Sequence, residues 1–490
     1  MRWRRLTVAI AAIVVVGVGV VATVMRKGPR AADLQRLKPA SPVVDRLRGE
    51  VRGANVVICV IDAARADHVG CYGYLRDTTP NIDRLARESV VFREHFAEYP
   101  STKPSTASLL TGQHSDTHLA YGNRELPEGT FTLAKGLERA GLRTVMFSSN
   151  PNASPATGLG RDFREVFDQS EVEPLVEGWE QFTNPKPLLT LIRRWLDRNN
   201  NRRFFAYVHF DPPHQPYLQP DKMTKLFAGQ KPPNFRPGRF EFPVGDREML
   251  RTCARPPLPE WINLYDANLR FGDWAVGELE RALREAGVLQ RTLLVITSDH
   301  GEAFGEHGYL WHERGVYDEL VHIPLLIRFP GGVEAGEVKA LTETVDVLPT
   351  VLDLLAAPYP EKEVQGKSLA PLIAGTEKEL HHYVVARSDG RPPSYLVRSR
   401  EWALMLWGNG RWRALYDLRT DPGQRRNVIE RNPEVAERMV GAFREFAAGQ
   451  RRPPVEFVEA GAKAEPLPEG RERKLSEETK RGLRALGYVR

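Results

Sequence analysis

Residues 55–62 read NVVICVID, an unbroken run of mostly β-branched side chains that ends in an aspartate. Such a run, without polar alternation, is typical of a strand that is buried on both faces of a parallel sheet. Similar runs follow it along the chain, at residues 144–147, 204–210, 292–297 and 323–327. Patterns of helical spacing lie between them, at residues 81–92 and 264–286. Strands that alternate with helices predict an α/β domain with a doubly wound, mostly parallel sheet flanked by helices.

The spacing of apolar residues along the chain changes from about residue 380. Short apolar segments at residues 395–397, 403–407 and 412–416 resemble an antiparallel meander, and a one-sided apolar helix pattern follows at residues 433–448. We therefore expect a smaller C-terminal antiparallel α+β domain. The predicted division of the chain is a main domain at residues 51–378, the small domain at residues 379–450, and a polar tail with a short terminal helix at residues 451–490.

The N-terminal region contains an apolar run at residues 6–25. At about 1.5 Å per residue, this run is long enough to cross a hydrocarbon core of about 30 Å. Three arginines among the first five residues favour a cytoplasmic N-terminus. We predict a single-pass anchor at residues 1–27 and a polar tether at residues 28–50, with the main domain extracytoplasmic. The alternative is secretion after cleavage of a signal peptide, which the basic residues 26–27 directly after the run disfavour.

Composition narrows the class of protein further. The 490 residues are 41% hydrophobic, enough to build a large core, and 69 Lys and Arg stand against 63 Asp and Glu, a net charge of +6. Because these basic residues are scattered, we expect no nucleic-acid partner. The three cysteines, Cys59, Cys71 and Cys253, show neither a disulfide framework nor a zinc-ligand spacing.

Candidate metal ligands follow two of the predicted strands. Asp62 ends the run at residues 55–62, and Asp299 and His300 follow the run at residues 292–297. Functional groups in this architecture gather outside the carboxyl ends of the strands. Two carboxylates and one imidazole suit Zn²⁺, Mn²⁺ or Ca²⁺. We predict one divalent ion here, and the sequence leaves open whether a second ion binds near Asp211 and His214.

A candidate nucleophile lies in the segment 101–112, STKPSTASLLTG, which reads as the start of a helix with a proline in its first turn. The positive end of a helix offsets the charge of a bound oxyanion. A hydroxyl placed there can attack that oxyanion, and Thr102 is the expected nucleophile and the missing metal ligand. Lys103 is a candidate for substrate binding, with an exposed and solvated side chain as the alternative.

Three histidines complete the predicted site. His209 and His214 lie in one segment and His312 lies in another. We expect His214 and His312 to bind the anionic oxygens of the substrate or to protonate a leaving group. His209 falls inside a strand pattern, so we interpret it as a core histidine.

At these residues the chain resembles the sulfatases and their relatives in the alkaline phosphatase superfamily. Residues 62–73 (DAARADHVGCYG) are similar to the opening motif of the family, and residues 104–112 are similar to its nucleophile signature. Further similar motifs follow in the family's order, at residues 298–302 (SDHGE), 317–325 and 415–422. The resemblance covers roughly residues 52–430 and implies a large α/β domain with a smaller C-terminal antiparallel domain.

Departures from the family pattern affect the expected chemistry. In sulfatases the nucleophile is a cysteine or serine oxidised to formylglycine, with an arginine two residues after the proline, whereas the matching positions here are Thr102 and Thr106. Threonine cannot form that aldehyde. Ala63 replaces the second aspartate of many sulfatases and removes one metal ligand. The chain also resembles lipid-modifying phosphoethanolamine transferases, including at residues 305–312, which implies a phosphothreonine intermediate.

Together these features predict a membrane-anchored, metal-dependent hydrolase or transferase that acts on phosphate esters through Thr102. Two alternatives stay open: a sulfuric ester hydrolase that works without formylglycine, and a non-catalytic family member that binds an anionic glycan or lipid headgroup. The expected partners are a phosphate or sulfate ester of a lipid or glycan, and a membrane through the N-terminal helix.

Overall fold

The computed structural model describes most of the chain between residues 41 and 452, namely residues 41–168, 171, 183–217, 219–233, 258–308, 310–312, 315–332, 334–389, 393–407 and 412–452. The predicted anchor at residues 1–27, most of the predicted tether and the predicted terminal helix lie outside the described residues. Within those residues, no helix combines the length and apolar character needed to cross a membrane.

Strands of the described chain form three sheets. Their bounds are β1 (Asn55–Ile61), β2 (Val90–Phe96), β3 (Arg143–Ser148), β4 (Glu165–Phe167), β5 (Phe204–Phe210), β6 (Thr292–Thr297), β7 (Ala303–Phe304), β8 (Leu310–Trp311), β9 (Leu325–Arg328), β10 (Gly336–Glu343), β11 (Val384–Ser388), β12 (Ser394–Arg398), β13 (Trp402–Trp407) and β14 (Trp412–Asp417).

Helices connect these strands and flank the largest sheet. Their bounds are α1 (Pro42–Val51), α2 (Pro80–Ala86), α3 (Thr102–Thr111), α4 (Ser115–His118), α5 (Leu133–Arg139), α6 (Pro185–Asn199), α7 (Asp221–Thr224), α8 (Leu258–Glu285), α9 (Asp318–Val321), α10 (Val347–Leu354), α11 (Ala370–Ile373) and α12 (Pro433–Ala448).

The main sheet has eight strands in the order β10-β2-β9-β6-β1-β5-β3-β4. Strand β9 is antiparallel to both of its neighbours, and the other adjacent pairs are parallel. Strand β1 lies inside the sheet, and its alternate side chains belong to two hydrophobic clusters: Val56, Ile58 and Val60 to one, Val57, Cys59 and Ile61 to the other. Burial on both faces explains why its sequence shows no polar alternation.

The small domain is a four-stranded antiparallel sheet in the order β11-β12-β13-β14. Helix α12 covers one face of it, where Met439 and Phe443 pack with Val397 and Leu404. Its other face joins the main domain in a separate cluster of apolar residues. The predictions of a mostly parallel α/β domain, a small antiparallel domain and a helix at residues 433–448 are confirmed.

Two sequence predictions of local structure are wrong. The helix predicted at residues 81–92 ends at Ala86, and strand β2 begins at Val90, since Val90, Val91 and Phe92 pair with β9. The tether predicted at residues 28–50 contains most of α1, which begins after the cap Ser41. Helix α1 packs on the main domain because Val44, Leu47 and Val51 share one apolar face and are buried.

The loop that follows β1 is held by a buried carboxylate on α8. Asp266 accepts hydrogen bonds from His68 Nδ1 at 2.6 Å, from the Tyr74 hydroxyl at 2.7 Å and from Arg76 Nη1 at 2.6 Å. Its side chain is 0% exposed. Because Arg76 is also buried, Asp266 neutralises a charge that water does not reach.

We predict that Asp266→Ala lowers the free energy of unfolding by about 3–5 kcal/mol, because it leaves the Arg76 charge buried without its partner. The matched control is Asp77→Ala, which removes an aspartate that is 74% exposed and pairs with Arg270 at 3.0 Å. The control should lose less than about 1 kcal/mol. Denaturant unfolding monitored by circular dichroism measures both, and equal losses would contradict the role assigned to Asp266.

Candidate active site

Three predicted metal ligands lie together at the carboxyl ends of β1 and β6. His300 Nε2 is 3.4 Å from Asp62 Oδ1 and 3.6 Å from Asp299 Oδ2. The same nitrogen is 3.3 Å from Thr102 Oγ1, at the first residue of α3. All four side chains are buried. Neighbouring parallel strands and the start of one helix therefore converge on a single point.

Hydrogen bonding shows that this point requires a positive charge. His300 Nδ1 lies 2.9 Å from the carbonyl of Gly301, so Nε2 is the ring nitrogen that faces the cluster. Asp62 Oδ1 and Asp299 Oδ2 have no hydrogen-bond partner among the described residues. A nitrogen lone pair and two carboxylate oxygens repel one another unless a proton or a cation lies between them.

The donor set fits a divalent ion. Ligands at about 2.0–2.2 Å from a tetrahedral ion lie about 3.3–3.6 Å from one another. The distances of 3.3, 3.4 and 3.6 Å from His300 Nε2 fall in that range. Carboxylate, imidazole and hydroxyl donors suit Zn²⁺ or Mn²⁺. The residues that would hold such an ion are Asp62, Asp299, His300 and Thr102.

The second oxygen of each carboxylate is held by hydrogen bonds. Asp62 Oδ2 accepts from Asn150 Nδ2 at 2.6 Å and lies 3.0 Å from His209 Nε2. Asp299 Oδ1 accepts from the backbone N–H groups of Ala63 and His300 at 3.1 and 3.0 Å. These contacts orient both side chains so that their remaining oxygens face His300.

Charge and burial shift the pKa values of these groups in opposite directions. Burial and the negative charge of Asp299 raise the pKa of Asp62 well above its ordinary value. Burial opposes ionisation of Asp299 as well, but the adjacent histidines outweigh burial and lower the pKa of this carboxyl. Burial would lower the pKa of His300, yet the two aspartates raise it. The shift of Asp62 reports burial beside a like charge, which a cation relieves.

His209 belongs to this cluster too. Ligand atoms of Asp62, His209 and Asp299 all lie within 4.8 Å of one another. The ring is fully buried, as expected of a core histidine, but its Nε2 faces the two carboxylates. The spacing His209-x-Asp211 was a usable signal, because alternate residues at the end of a strand lie on the same face.

Helix α3 is tied to the end of β6. The Ser105 hydroxyl donates to the carbonyl of Asp299 at 2.6 Å, which fixes the first turn of α3 beside the predicted metal ligands. Lys103 is buried, and its ammonium group donates to the carbonyl of Gly122. The alternative of an exposed, solvated Lys103 therefore does not hold, and its role in substrate binding stays a prediction.

His214 and His312 lie beside His300. The ring centroids of His312 and His300 are 4.2 Å apart, and those of His214 and His312 are 4.9 Å apart. Burial and His312 lower the pKa of His214 to about 3, and burial and His300 lower the pKa of His312 well below its ordinary value. Both shifts favour the neutral rings, and the catalytic and substrate-binding roles of the two histidines stay predictions.

Glu302 is a site residue that sequence reasoning missed. Its Oε1 lies 3.0 Å from His312 Nδ1, and burial raises the pKa of this carboxyl to about 7. Glu302 follows His300 by two residues in SDHGE. The predicted motif therefore contained it, but its contact with His312 depends on the fold.

Comparison with known proteins places this geometry in a family. The profile of the family described as Sulfatase matches residues 54–357, and that of "N-sulphoglucosamine sulphohydrolase, C-terminal" matches residues 305–445. Arylsulfatase K of Canis lupus familiaris is 33% identical over 444 residues, which cover 80% of this chain and 82% of the relative. N-acetylglucosamine-6-O-sulfatase of Bacteroides thetaiotaomicron is 23% identical over 470 residues, covering 78% and 83%.

Solved structures share the fold. A phosphonate monoester hydrolase of Agrobacterium radiobacter superposes with a TM-score of 0.69 at 22% identity, covering 81% of this chain and 95% of that one. A protein in complex with its substrate D-glucosamine-2-N,6-O-disulfate superposes with a TM-score of 0.68 at 20% identity, covering 81% and 98%. The profile match over most of the main domain, together with a relative above 30% identity, shows that the chain belongs to the sulfatase family.

Proposed function

We propose that this sulfatase-family protein is a metal-dependent hydrolase or transferase that acts on phosphate esters through Thr102. The observation that carries the proposal is the position of the Thr102 hydroxyl, buried at the start of α3 and 3.3 Å from His300 Nε2. A nucleophile needs a nearby group that favours its deprotonated form and a positive surface that binds the reacting anion. The carboxylate and histidine cluster and the N-terminal end of α3 supply these two conditions.

The contacts assign a separate role to the proposed metal ligands and to Thr102. A divalent ion held by Asp62, Asp299 and His300 would act as a Lewis acid that lowers the pKa of the bound hydroxyl. Thr102 Oγ1 forms a bond to phosphorus while the bond from phosphorus to the leaving oxygen breaks. The resulting phosphothreonine ester is then cleaved by water or by another alcohol, which regenerates the hydroxyl.

We propose that His312 and His214 transfer the proton that the leaving group needs. Glu302 accepts the proton on His312 Nδ1, so exchange with the substrate would use Nε2. His214 Nδ1 is likewise held by the carbonyl of Gln215 at 2.5 Å. Both rings then present one defined nitrogen each. The pair takes up at Nε2 the hydroxyl proton that Thr102 releases on attack and passes it to the leaving alkoxide; in the second step it accepts a proton from the second nucleophile and returns one to Thr102 Oγ1.

Threonine favours a phosphate ester over a sulfate ester. A formylglycine hydrate expels sulfate with its second hydroxyl, a route that a threonine side chain does not have. A phosphothreonine can instead be opened by direct attack at phosphorus. Relatives named as sulfatases support the alternative of a sulfuric ester hydrolase. The similarity to a phosphonate monoester hydrolase supports a substrate with a phosphorus centre.

The proposed substrate is an anionic ester of a glycan or lipid headgroup. The proposed location is extracytoplasmic, with residues 1–27 as a single membrane anchor and secretion after signal cleavage as the alternative. Support for the anchor comes from the apolar run at residues 6–25, whose length matches a hydrocarbon core.

We predict that Thr102→Ala lowers kcat for an aryl phosphate by more than about 100-fold, because the attacking oxygen is removed. Thr102→Ser keeps that oxygen and should retain most of the rate. The matched control is Thr111→Ala at the other end of α3, where the hydroxyl donates to the carbonyl of Ala107 at 2.7 Å. Activity of Thr102→Ala within about tenfold of the parent would reject this nucleophile.

Matched phosphate monoester, phosphate diester and sulfate ester substrates with one aryl leaving group separate the candidate functions. We expect turnover of at least one phosphate ester at a kcat/KM about 100-fold or more above that of the sulfate ester, since Thr102 lacks the aldehyde route. Faster turnover of the sulfate ester would favour the sulfatase alternative. Binding of all three esters without turnover would favour the non-catalytic alternative.

Removal of divalent ions should abolish turnover, because nothing then lowers the pKa of the Thr102 hydroxyl. Dialysis against a chelator, followed by addition of Zn²⁺, Mn²⁺ or Ca²⁺ in parallel, tests this expectation. Restored activity identifies the ion that supports the reaction. A metal-free preparation with full activity would reject the site as described.

Deletion of residues 1–27 should release active protein from the membrane fraction, because the proposed anchor is then missing. Sedimentation of membranes from cells that express the full and the shortened chain measures the effect. The shortened chain keeps Ser41 and α1, which pack on the main domain, so its fold should be unchanged. Continued sedimentation of the shortened chain would show that another surface binds the membrane.

A further inference from the structure

A short β-hairpin, formed by β7 and β8, carries the pair Glu302 and His312. The two strands pair in antiparallel register, with Ala303 opposite Trp311. Continuing this register by one residue sets Glu302, before β7, opposite His312, after β8. Glu302 Oε1 lies 3.0 Å from His312 Nδ1, which is the contact that this register predicts. The hairpin therefore decides whether the carboxylate meets the imidazole.

The hairpin depends on contacts from outside its two strands. Each strand has two residues, and an isolated hairpin is at best marginally stable in water. Trp311, directly before His312, has a φ of 68°, in the left-handed region that a bulky residue rarely adopts. Backbone strain of this kind persists only where surrounding groups hold the chain in place. Such groups have to come from other segments of the chain.

Arg65, in the loop that follows β1, contacts three positions of the hairpin. Its Nη1 donates to the backbone carbonyl of Glu302 at 2.9 Å and to Glu306 Oε1 at 2.6 Å. Its guanidinium carbon lies 4.9 Å from the centre of the Phe304 ring, within the range of a cation–π contact. Glu306 Oε2 in turn accepts from the backbone N–H of Phe304 at 2.6 Å. One guanidinium group thus joins the start of β7 to the chain that follows this strand.

The direction of the Arg65 side chain is itself fixed. Nε and Nη2 donate to the two carboxylate oxygens of Asp67 at 2.8 and 2.7 Å, which forms a bidentate ion pair. The backbone N–H of Arg65 donates to the Tyr265 hydroxyl on α8 at 2.9 Å. The side chain is 6% exposed, so water competes little for its hydrogen bonds. Arg65 is therefore a buried cation with a fixed orientation beside the hairpin.

Glu302 is held through its backbone on both sides. Its N–H donates to the carbonyl of Glu319 at 3.1 Å, and its carbonyl accepts from Arg65. At the side chain, the Tyr217 hydroxyl lies 3.5 Å from Oε2, a distance too long for a strong hydrogen bond. Loss of Arg65 would therefore free the carbonyl of Glu302 and let the carboxylate turn away from His312.

We propose that Arg65 is a positioning residue that stabilises the hairpin and so holds the Glu302 carboxylate against His312. This inference rests on the proposed function, in which His312 and His214 transfer the proton that the leaving group needs. Arg65 acts through Glu302, because a fixed carboxylate at Nδ1 keeps the imidazole of His312 in one orientation. A leaving group that is a strong base depends on this proton, whereas one that is stable as an anion does not. Loss of Arg65 should therefore slow the two kinds of ester unequally.

The test compares the phenyl and the 2,4-dinitrophenyl phosphate ester, as monoester or diester, whichever the parent turns over. Arg65→Met in the full chain keeps a long side chain and removes the guanidinium group. We expect kcat/KM to fall for both esters and the ratio of the dinitrophenyl to the phenyl value to rise about tenfold or more, because phenolate is the stronger base. Metal content, measured by elemental analysis, should match that of the parent, since Asp62, Asp299 and His300 keep their contacts.

The matched control is Arg398→Met. The side chain of Arg398 is 7% exposed, its Nε donates to Asp318 Oδ2 at 3.0 Å, and its guanidinium carbon lies 4.4 Å from the centre of the Phe96 ring. Arg398 thus reproduces the burial, the ion pair and the ring contact of Arg65 at residues outside the hairpin. This control should leave the ratio of the two kcat/KM values unchanged.

An unchanged ratio in Arg65→Met, or an equal rise in Arg398→Met, would overturn this role of Arg65 and leave the proposed function standing. If Arg65→Met fails to fold, as judged by circular dichroism, Glu306→Ala decides. The Glu306 side chain is 23% exposed, and its loss removes one contact between Arg65 and the hairpin. The ratio should then rise in the same direction, and an unchanged ratio overturns the role. A parent chain that turns over neither ester rejects the proposed function, and this inference with it.

Discussion

The structure depends on a concentration of negative charge at a place where water is excluded. Asp62 and Asp299 lie side by side at the ends of adjacent parallel strands, and His300 Nε2 is within 3.6 Å of both. Such an arrangement costs free energy in the absence of a cation. The fold bears this cost because the surrounding backbone and the side chain of Asn150 hold both carboxylates in position.

Parallel strands make this convergence possible. Their carboxyl ends meet at one edge, so one residue past β1 and two past β6 suffice to bring together groups more than 200 positions apart in the chain. The hydrophobic clusters on both faces of β1 keep the edge rigid. The small domain contributes to the same frame, because one face of its sheet packs against the main domain.

Family membership and catalytic chemistry are separate conclusions for this chain. The sulfatase fold is shared with relatives whose names include arylsulfatase, and with a phosphonate monoester hydrolase. The proposed reaction depends on the group at the start of α3, where this chain has a threonine. Under the proposed function, a change of this single side chain would alter the ester class while the predicted metal ligands stay in place.

The sequence by itself determined the fold class and the family, because each rests on local pattern. A strand buried on both faces reads as NVVICVID, and SDHGE follows such a strand. It misassigned residues 87–92 and most of α1, where tertiary packing overrode a local pattern. Only the tertiary structure brought His209 to Asp62 and Glu302 to His312. Those contacts depend on strand register and ring orientation, which the spacing of residues along a chain does not encode.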